Sequence, residues 1–346
     1  MSMFKNKHFH GHEQVVFCND HKTGLKAIIA IHNTERGPAL GGCRMYPYAS
    51  EEDALTDVLR LSLGMTYKSA MANLNLGGGK TVIIGDPKKH TTEAMFRSLG
   101  RFLNGLNGRY ITAEDSGTNL QQMEWIKKET DYVVGIPTNF GGTGDPSPST
   151  AHGNFVGIKA AVKKAFGKDE LSGLKIAVQG VGNVGYHLCK ELYENDVKLF
   201  VSDVNETALK RAVDKFNAVA VAPDKIYSTD VDVYAPCALG ATINDKTIPQ
   251  LKCSIIAGSA NNQLENLERH GNELKKRKIL YAPDYVISAG GVIHVYPEVQ
   301  DFTKEQVNKK IEGIHDTLLQ VFNLAEEKNI PTYAAANEIA ETRILA

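Results

Sequence analysis

The sequence has almost no net charge. Its 39 Lys and Arg stand against 40 Asp and Glu, a formal charge of −1 at pH 7. With no excess of either sign, nothing points to nucleic acid or an anionic membrane surface as a partner. Long apolar runs are also missing. No stretch reaches the roughly 18 residues that a membrane-crossing helix needs, and residues 1–7 have no apolar core of the signal-peptide kind. Cysteines are few and scattered. Cys18, Cys43, Cys189, Cys237 and Cys253 are odd in number and form no C-x-x-C. That pattern argues against a disulfide framework and predicts reduced core thiols in a cytoplasmic protein. No internal repeat or low-complexity stretch is evident.

The chain has 346 residues, 42% of them hydrophobic and 23% charged. That length suggests two domains of ordinary globular composition. His8, His10 and His12 alternate. As a strand they would share one face, which could hold a metal but is more simply a polar face. No metal is expected.

Lys26–His32 reads as a buried strand. It runs into Gly37-Pro38-Ala39-Leu40-Gly41-Gly42, a predicted loop whose glycines let backbone approach a ligand. Ser50 with Asp53 predicts the start of a helix running to about Met65. A second helix is expected from Thr92, with Met95, Leu99, Phe102 and Leu106 at helical spacing. Strand-like Arg109–Thr112 then leads to Ala113-Glu114-Asp115. Pro137, Gly141, Gly142, Gly144, Pro146 and Pro148 crowd together, which predicts a crossing between domains. A helix over 150–166 follows. A last long helix is expected over Thr303–Asn329, striped by Val307, Ile311, Ile314, Leu318, Val321 and Ala325.

Gly77-Gly78-Gly79-Lys80-Thr81 is the most informative stretch. It is not a phosphate-binding loop, because Leu74 stands where that motif needs glycine and because β-branched Thr81–Ile84 reads as a strand rather than a helix. Lys80 is then a chemical lysine in a glycine loop, or a solvated lysine in a glycine-rich turn.

In the second half, strand Lys175–Gln179 leads into Gly180-Val181-Gly182-Asn183-Val184-Gly185. A helical pattern, Tyr186–Glu194, and a strand, Lys198–Ser202, ending at Asp203, come after it. A bare G-x-G-x-x-G is weak evidence, but this one has the strand, the helix and the acidic residue that dinucleotide binding requires. Gly180 permits the tight turn, Gly182 lets the pyrophosphate approach, and Gly185 lets helix and strand pack closely. Asp203 can accept a ribose diol and repel a 2′-phosphate, which predicts NAD over NADP. A turn-forming aspartate is the alternative. With Lys80 in the first half, a cleft follows, one lobe holding substrate and the other the nicotinamide.

Lys68, near the end of the first helix, Lys80 and Asp115 are the parts needed to handle an amino acid. One ammonium can bind the α-carboxylate, a second amine can act as base, and the carboxylate can shuttle protons.

The motifs together resemble a known family. They are Gly-Pro-Ala-Leu-Gly-Gly (37–42), Gly-Met-Thr-Tyr-Lys (64–68), Asn-Leu-Gly-Gly-Gly-Lys (75–80), Thr-Ala-Glu-Asp (112–115), Gly-Val-Gly-Asn-Val (180–184), Ala-Pro-Cys-Ala-Leu-Gly (235–240), Ile-Ala-Gly-Ser-Ala-Asn-Asn-Gln-Leu (256–264) and Tyr-Ala-Pro-Asp-Tyr-Val (281–286). Nearly the whole chain resembles the Glu/Leu/Phe/Val amino-acid dehydrogenases, and within them the leucine-type members. The resemblance implies an α/β protein of two domains either side of a cleft. These are an N-terminal substrate-binding and oligomerisation domain, 1–140 plus 330–346, and a Rossmann-type NAD domain, 141–329. It implies NAD-dependent, reversible oxidative deamination of L-leucine, with valine and isoleucine also accepted, by a homo-oligomer, octameric in the leucine-type members. By resemblance, Lys68 holds the substrate carboxylate, Lys80 activates water and Asp115 is the acid/base. Leu40, Gly41, Met65, Ala113, Val134, Val292 and Val295 line the side-chain pocket, and Gly42 and Asn262 contact the substrate. Thr150 contacts the nicotinamide amide, and Cys237, Ala238 and Asn261 join the fingerprint in holding NAD. A glutamate side chain would leave an unpaired carboxylate among these apolar groups, at a cost of several kcal/mol, roughly.

Three other readings stand beside this one. Val134 and Asn261–Asn266 are similar to the tryptophan-acting relatives, so phenylalanine or tryptophan is a rival substrate. A non-catalytic NAD sensor would keep the fold without the chemistry. A nucleotide hydrolase would need Gly79-Lys80-Thr81 to open a helix.

Overall fold

The computed structural model describes residues 3–345. The chain forms two compact units. The first runs to Asp145 and takes in Val295–Phe302 and the chain from Ala340 onward. The second holds Pro146–His294 and Thr303–Ile339. Three segments thus group differently from the expected division, the first being residues 141–145, which fall in the first unit. Residues 295–302 join the first unit because the Glu298 carboxylate accepts the Gly135 and Thr143 amides there, at 3.0 and 2.8 Å. Residues 330–339 join the second, where Thr332 donates to the Tyr281 carbonyl at 2.7 Å and Tyr285 to Asn337 at 2.8 Å.

The first unit contains β1 (Gln14–Asp20), β2 (Leu25–Asn33), β3 (Ala39–Tyr46), α1 (Glu51–Met71), β4 (Gly77–Ile84), α2 (Pro87–His90), α3 (Glu93–Asn104), β5 (Tyr110–Glu114) and α4 (Leu120–Lys127). Its sheet is mixed, in the order β1-β2-β4-β3-β5. β2 is antiparallel to β1 and β4, while β3 is parallel to β4 and β5. The Ser50 side chain caps α1 by accepting the Asp53 amide. Ala54, Val58 and Leu59 fall on one face of the helix and pack against Ile28, Ala30 and Val82. α1 continues past the expected end at Met65 to Met71, which brings Lys68 into its last turn. Thr92 caps α3, whose Phe96, Leu99 and Leu103 are buried with Ile29, Ile31 and Tyr110 in a separate cluster.

The glycine-rich stretches differ from expectation. Gly77–Gly79 form the first half of the buried strand β4, and Gly41 and Gly42 lie within β3. Glycine is a poor strand former in general. Here neighbouring backbone comes too close for any side chain. A Cβ on Gly77 would stand 1.9 Å from the Asn33 carbonyl oxygen, and one on Gly41 would stand 1.8 Å from that of Gly79. Gly79-Lys80-Thr81 opens no helix, so it has none of the geometry of a phosphate-binding loop.

The second unit contains α5 (Ser147–Phe166), β6 (Lys175–Gln179), α6 (Asn183–Glu194), β7 (Lys198–Ser202), α7 (Glu206–Phe216), β8 (Val219–Ala220), β9 (Val233–Pro236), β10 (Ile255–Ile256), α8 (Leu267–Lys276), β11 (Leu280–Tyr281), α9 (Asp284–Ile287), α10 (Gly290–Val295), α11 (Lys304–Glu312), α12 (Ile314–Glu327) and α13 (Thr332–Ile344). Val295 and the end of α13 group with the first unit. The strands form an all-parallel sheet in the order β11-β10-β9-β6-β7-β8. The long helix expected over 303–329 is two helices, broken at Gly313, whose amide caps α11 on the Lys309 and Ile311 carbonyls. The apolar stripe continues across the break, with Val307, Ile311, Ile314 and Leu318 buried.

Residues 8–12 form no strand, so the three histidines share no face. His12 turns inward instead and bonds the Leu59 carbonyl and Ser62 hydroxyl at 3.0 Å. Among the described residues no helix is long and apolar enough to cross a membrane. All five cysteines are free thiols.

Candidate active site

Strand order sets the centre of the first unit. β3 lies between β4 and β5. Lys80 projects from β4, and Asp115 follows the last residue of β5. Their side chains meet as an ion pair, Lys80 Nζ to Asp115 Oδ2 at 2.8 Å, with only 7% and 14% of the side chains exposed. Glycine on the intervening strand leaves room for this. A Cβ on Gly42 would stand 2.7 Å from Asp115 Cβ. The turn after β5 is held by Thr118, which accepts the Asp115 amide at 3.0 Å and donates to the Cys43 carbonyl at 2.8 Å.

Arg44 completes the arrangement. Its Nε lies 3.1 Å from the same Asp115 oxygen, and its Nη1 lies 3.1 Å from Asp57 Oδ2. Asp57 Oδ2 also accepts the Tyr48 hydroxyl at 2.6 Å. Burial pushes the Asp115 carboxyl up, but Lys80 and then Arg44 outweigh it and hold the group well below the usual carboxylate range. Neighbouring Glu114 goes the other way. Burial, then the charges of Asp145 and Asp115, raise it to about 6. The sequence reading did not include Arg44, Asp57, Tyr48 or Glu114. A signal for Arg44 was present, because a charge inside the strand Gly-Gly-Cys-Arg-Met must find partners when that strand is buried.

All the expected side-chain walls except Val292 lie in the same unit. Leu40 pairs in register with Gly78 and Ile111, and Gly42 with Ala113. A Cβ on Gly41 would meet Met65 Cγ at 3.1 Å, which puts α1 over this point of β3. Lys68 is one turn beyond Met65 on that face of the helix. Val134 is buried, and its amide donates to the Thr112 carbonyl at 2.9 Å. Val295 belongs to this unit too, within reach of Gly135. Apart from Lys68, Lys80 and Asp115, these positions are apolar or glycine.

Val292, Asn262 and Thr150 belong to the second unit with the fingerprint. There Gly180 has φ +95°, a conformation that favours glycine. A Cβ on Gly185 would stand 1.9 Å from the Gly180 carbonyl oxygen, so helix and turn pack as closely as the motif requires. Around Gly182 the space is open, and as N-cap of α6 it offers no side chain to the first amides of that helix. Asn183 and Val184 open α6. This arrangement suits an anionic pyrophosphate. Asp203 follows the last residue of β7 and accepts the Val181 amide at 2.7 Å and the Asn205 amide at 2.8 Å, so it also shapes its own loop. Ala238 packs on Gly180, and the Cys237 amide donates to the Gln179 carbonyl at 2.7 Å. Asn261 and Asn262 lie against Gly240 of the same loop. Thr150, in the first turn of α5, donates to the Pro146 carbonyl at 3.0 Å beside Gly291.

Two family models match the chain. "Glu/Leu/Phe/Val dehydrogenase, dimerisation domain" covers residues 12–132, and "Glutamate/Leucine/Phenylalanine/Valine dehydrogenase" covers residues 201–346. The leucine dehydrogenase of Geobacillus stearothermophilus is 58% identical over 99% of this chain and 94% of its own. The chain belongs to the Glu/Leu/Phe/Val dehydrogenase family. The L-tryptophan dehydrogenase of Nostoc punctiforme is 50% identical over 99% of this chain and 96% of its own. A crystal structure of L-tryptophan dehydrogenase from that organism matches with a TM-score of 0.84, covering 99% of this chain and 98% of the other. Lys68, Lys80 and Asp115 fall within the first family model, and Asp203, Cys237, Ala238 and Asn262 within the second.

Proposed function

We propose that this protein catalyses the NAD-dependent, reversible oxidative deamination of L-leucine to its 2-oxo acid and ammonia, with valine and isoleucine as further substrates. The observation that carries the reading is the buried Lys80–Asp115 pair in the unit that also holds apolar Leu40, Met65, Ala113 and Val134, in a chain 58% identical to a leucine dehydrogenase along nearly its full length.

In this reading Lys68 binds the substrate α-carboxylate. Gly180–Gly185, Asp203, Cys237, Ala238 and Asn261, with Thr150 at the nicotinamide amide, would hold NAD, which would supply the acceptor for the hydride from Cα. Giving one ammonium proton to ionised Asp115 and the hydride to the cofactor, the substrate becomes an iminium. Lys80, having passed its proton on, takes one from the water that adds to the iminium carbon. Asp115 then delivers a proton to the nitrogen, which leaves as ammonia. Asp115 rests ionised beside two cations, so it can take the ammonium proton and later return it to the nitrogen.

The apolar walls favour an aliphatic side chain. One methylene is worth about 1–3 kcal/mol in such a pocket, so activities on leucine, isoleucine and valine should overlap. The first family model is described as a dimerisation domain, which supports a homo-oligomer. We propose an octamer, testable by light scattering. The free thiols fit the cytoplasm.

The test is NADH formation with L-leucine, isoleucine, valine, phenylalanine, tryptophan and glutamate. Fastest turnover on leucine supports the reading. Fastest turnover on an aromatic substrate keeps the mechanism and overturns the substrate. Silence on all six, with NADH still bound, favours a sensor.

A further inference from the structure

Asp115 has two cationic partners, and the chemistry above uses one of them. Lys80 must lose its proton to act as a base, and its charge goes with it. A buried carboxylate left alone would then be protonated by desolvation. Arg44 keeps its charge at every working pH. Its fork is divided between two carboxylates, Nε on Asp115 Oδ2 and Nη1 on Asp57 Oδ2, both at 3.1 Å, while the Tyr48 hydroxyl donates to that same Asp57 oxygen. Arg44 is itself largely buried, with 17% of its side chain exposed, and it stands in β3 opposite Val82 of β4. The guanidinium is therefore built into the sheet rather than swinging in from solvent.

We propose that Arg44 is the positioning residue for Asp115. Anchored by Asp57, it fixes Oδ2 beside Lys80 and, once Lys80 is neutral, holds the carboxylate in its ionised form ready to take the substrate's proton. The proposal rests on the amino-acid dehydrogenase reading of this site. The groups facing Asp115 are Lys80 from β4, Arg44 and Cys43 from β3, Tyr48 after it, and Glu114 and Tyr110 from β5. Of these, Lys80 and Arg44 carry positive charge. Removing Arg44 leaves Asp115 with burial and the Glu114 carboxylate against it, and Lys80 alone in its favour.

Two measurements on Arg44→Gln and Arg44→Lys test this. The first is the pH profile of leucine deamination. Arg44→Gln should lower kcat about tenfold or more and move the acid limb up by about one pH unit or more, the size of shift a lost neighbouring cation produces. KM for leucine should change little, because Lys68 binds the substrate. Arg44→Lys keeps the charge without the fork, so it should hold the acid limb near its original place while kcat still falls. The second is a carbon-13 NMR titration of the Asp115 carboxyl, which needs no turnover and should move upward in Arg44→Gln. A folded Arg44→Gln protein with unchanged acid limb and unchanged Asp115 titration overturns the proposal. If Arg44→Gln fails to fold, Arg44→Lys decides alone. Wild-type kcat there, or an acid limb that moves as far as the tenfold-type loss implies, overturns it. If the wild type turns over no amino acid, the dehydrogenase reading fails, and the carboxyl titration still decides whether Arg44 holds Asp115 ionised.

Discussion

Gly78 of β4 lies directly against Thr66 of α1, and a Cβ placed on it would stand 2.0 Å from the Thr66 amide nitrogen. The strand that carries Lys80 and the helix that carries Lys68 meet at this contact. Neither backbone can give way cheaply. Gly78→Ala should cost about 3 kcal/mol or more, the upper part of the range for overpacked cores, and should lose turnover along with stability. Thermal denaturation checks it. A variant that melts with the wild type would show the contact is looser than this.

Lys80→Ala should abolish deamination and leave NADH affinity close to wild type. The residues assigned to the cofactor all lie in the second unit. Stopped-flow turnover with fluorescence titration of NADH separates the two effects. Near-normal turnover would remove Lys80 from the role of base.

Asp203→Ser should narrow the preference for NAD over NADP. It should also loosen the cofactor loop, since the Val181 and Asn205 amides lose their acceptor. The ratio of kcat/KM for the two cofactors is the readout. If that ratio holds while both affinities fall together, Asp203 serves the loop and not the ribose.

Acid should weaken the first unit through His12. Burial, then the neighbouring His32, lower its pKa from 6.5 to about 4. His32 is lowered in the same direction, mainly by burial. Between those pH values the unfolded chain binds a proton that the folded chain refuses, so stability is complete above pH 6.5 and falls as pH drops toward 4. His12 alone contributes about 3 kcal/mol over that interval. Urea unfolding at pH 7 and pH 5 should show the loss, and His12→Gln should flatten it.

His152 of α5 should act in the opposite direction. Hydrogen bonding to Glu191 of α6 raises its pKa to about 9 against the effect of burial, and Glu312 of α11 adds to the rise. Its contribution is complete below pH 6.5 and disappears as pH rises through 9. The gap in melting temperature between wild type and His152→Gln should therefore be widest in mild acid and close above pH 9. A gap that stays constant would mean the ring acts through packing alone.

Much of this was legible in the sequence because the signals are local. The strand Lys175–Gln179, the turn at Gly180 and the capping residues Ser50 and Thr92 depend on neighbours a few positions away. Gly77–Gly79 and Gly41–Gly42 were misleading for the opposite reason. Asn33, Thr66 and Tyr110 crowd the first three and the Gly79 and Glu114 carbonyls the other two, and no propensity encodes that. Gly313 was hidden inside an apolar stripe that stays in phase across the break. The Lys80–Asp115 pair could be named from chemistry, but Arg44 and Asp57 could not. Their value to the site comes from strand order, which places β3 between the two reacting side chains.

The return of the chain to its first unit has a consequence for how the protein is born. Arg343 donates to the Met71 carbonyl at the end of α1 at 2.7 Å, across 272 residues of sequence. Glu298 supplies the acceptor for Gly135 and Thr143. On the ribosome, which adds roughly 5–20 residues each second, α1 must wait for Arg343, 272 residues later. The end of α1 and the Gly135 and Thr143 amides lack these partners while most of the second unit is synthesised. A premature stop only a few codons before Arg343 would reach back to the helix that carries Lys68.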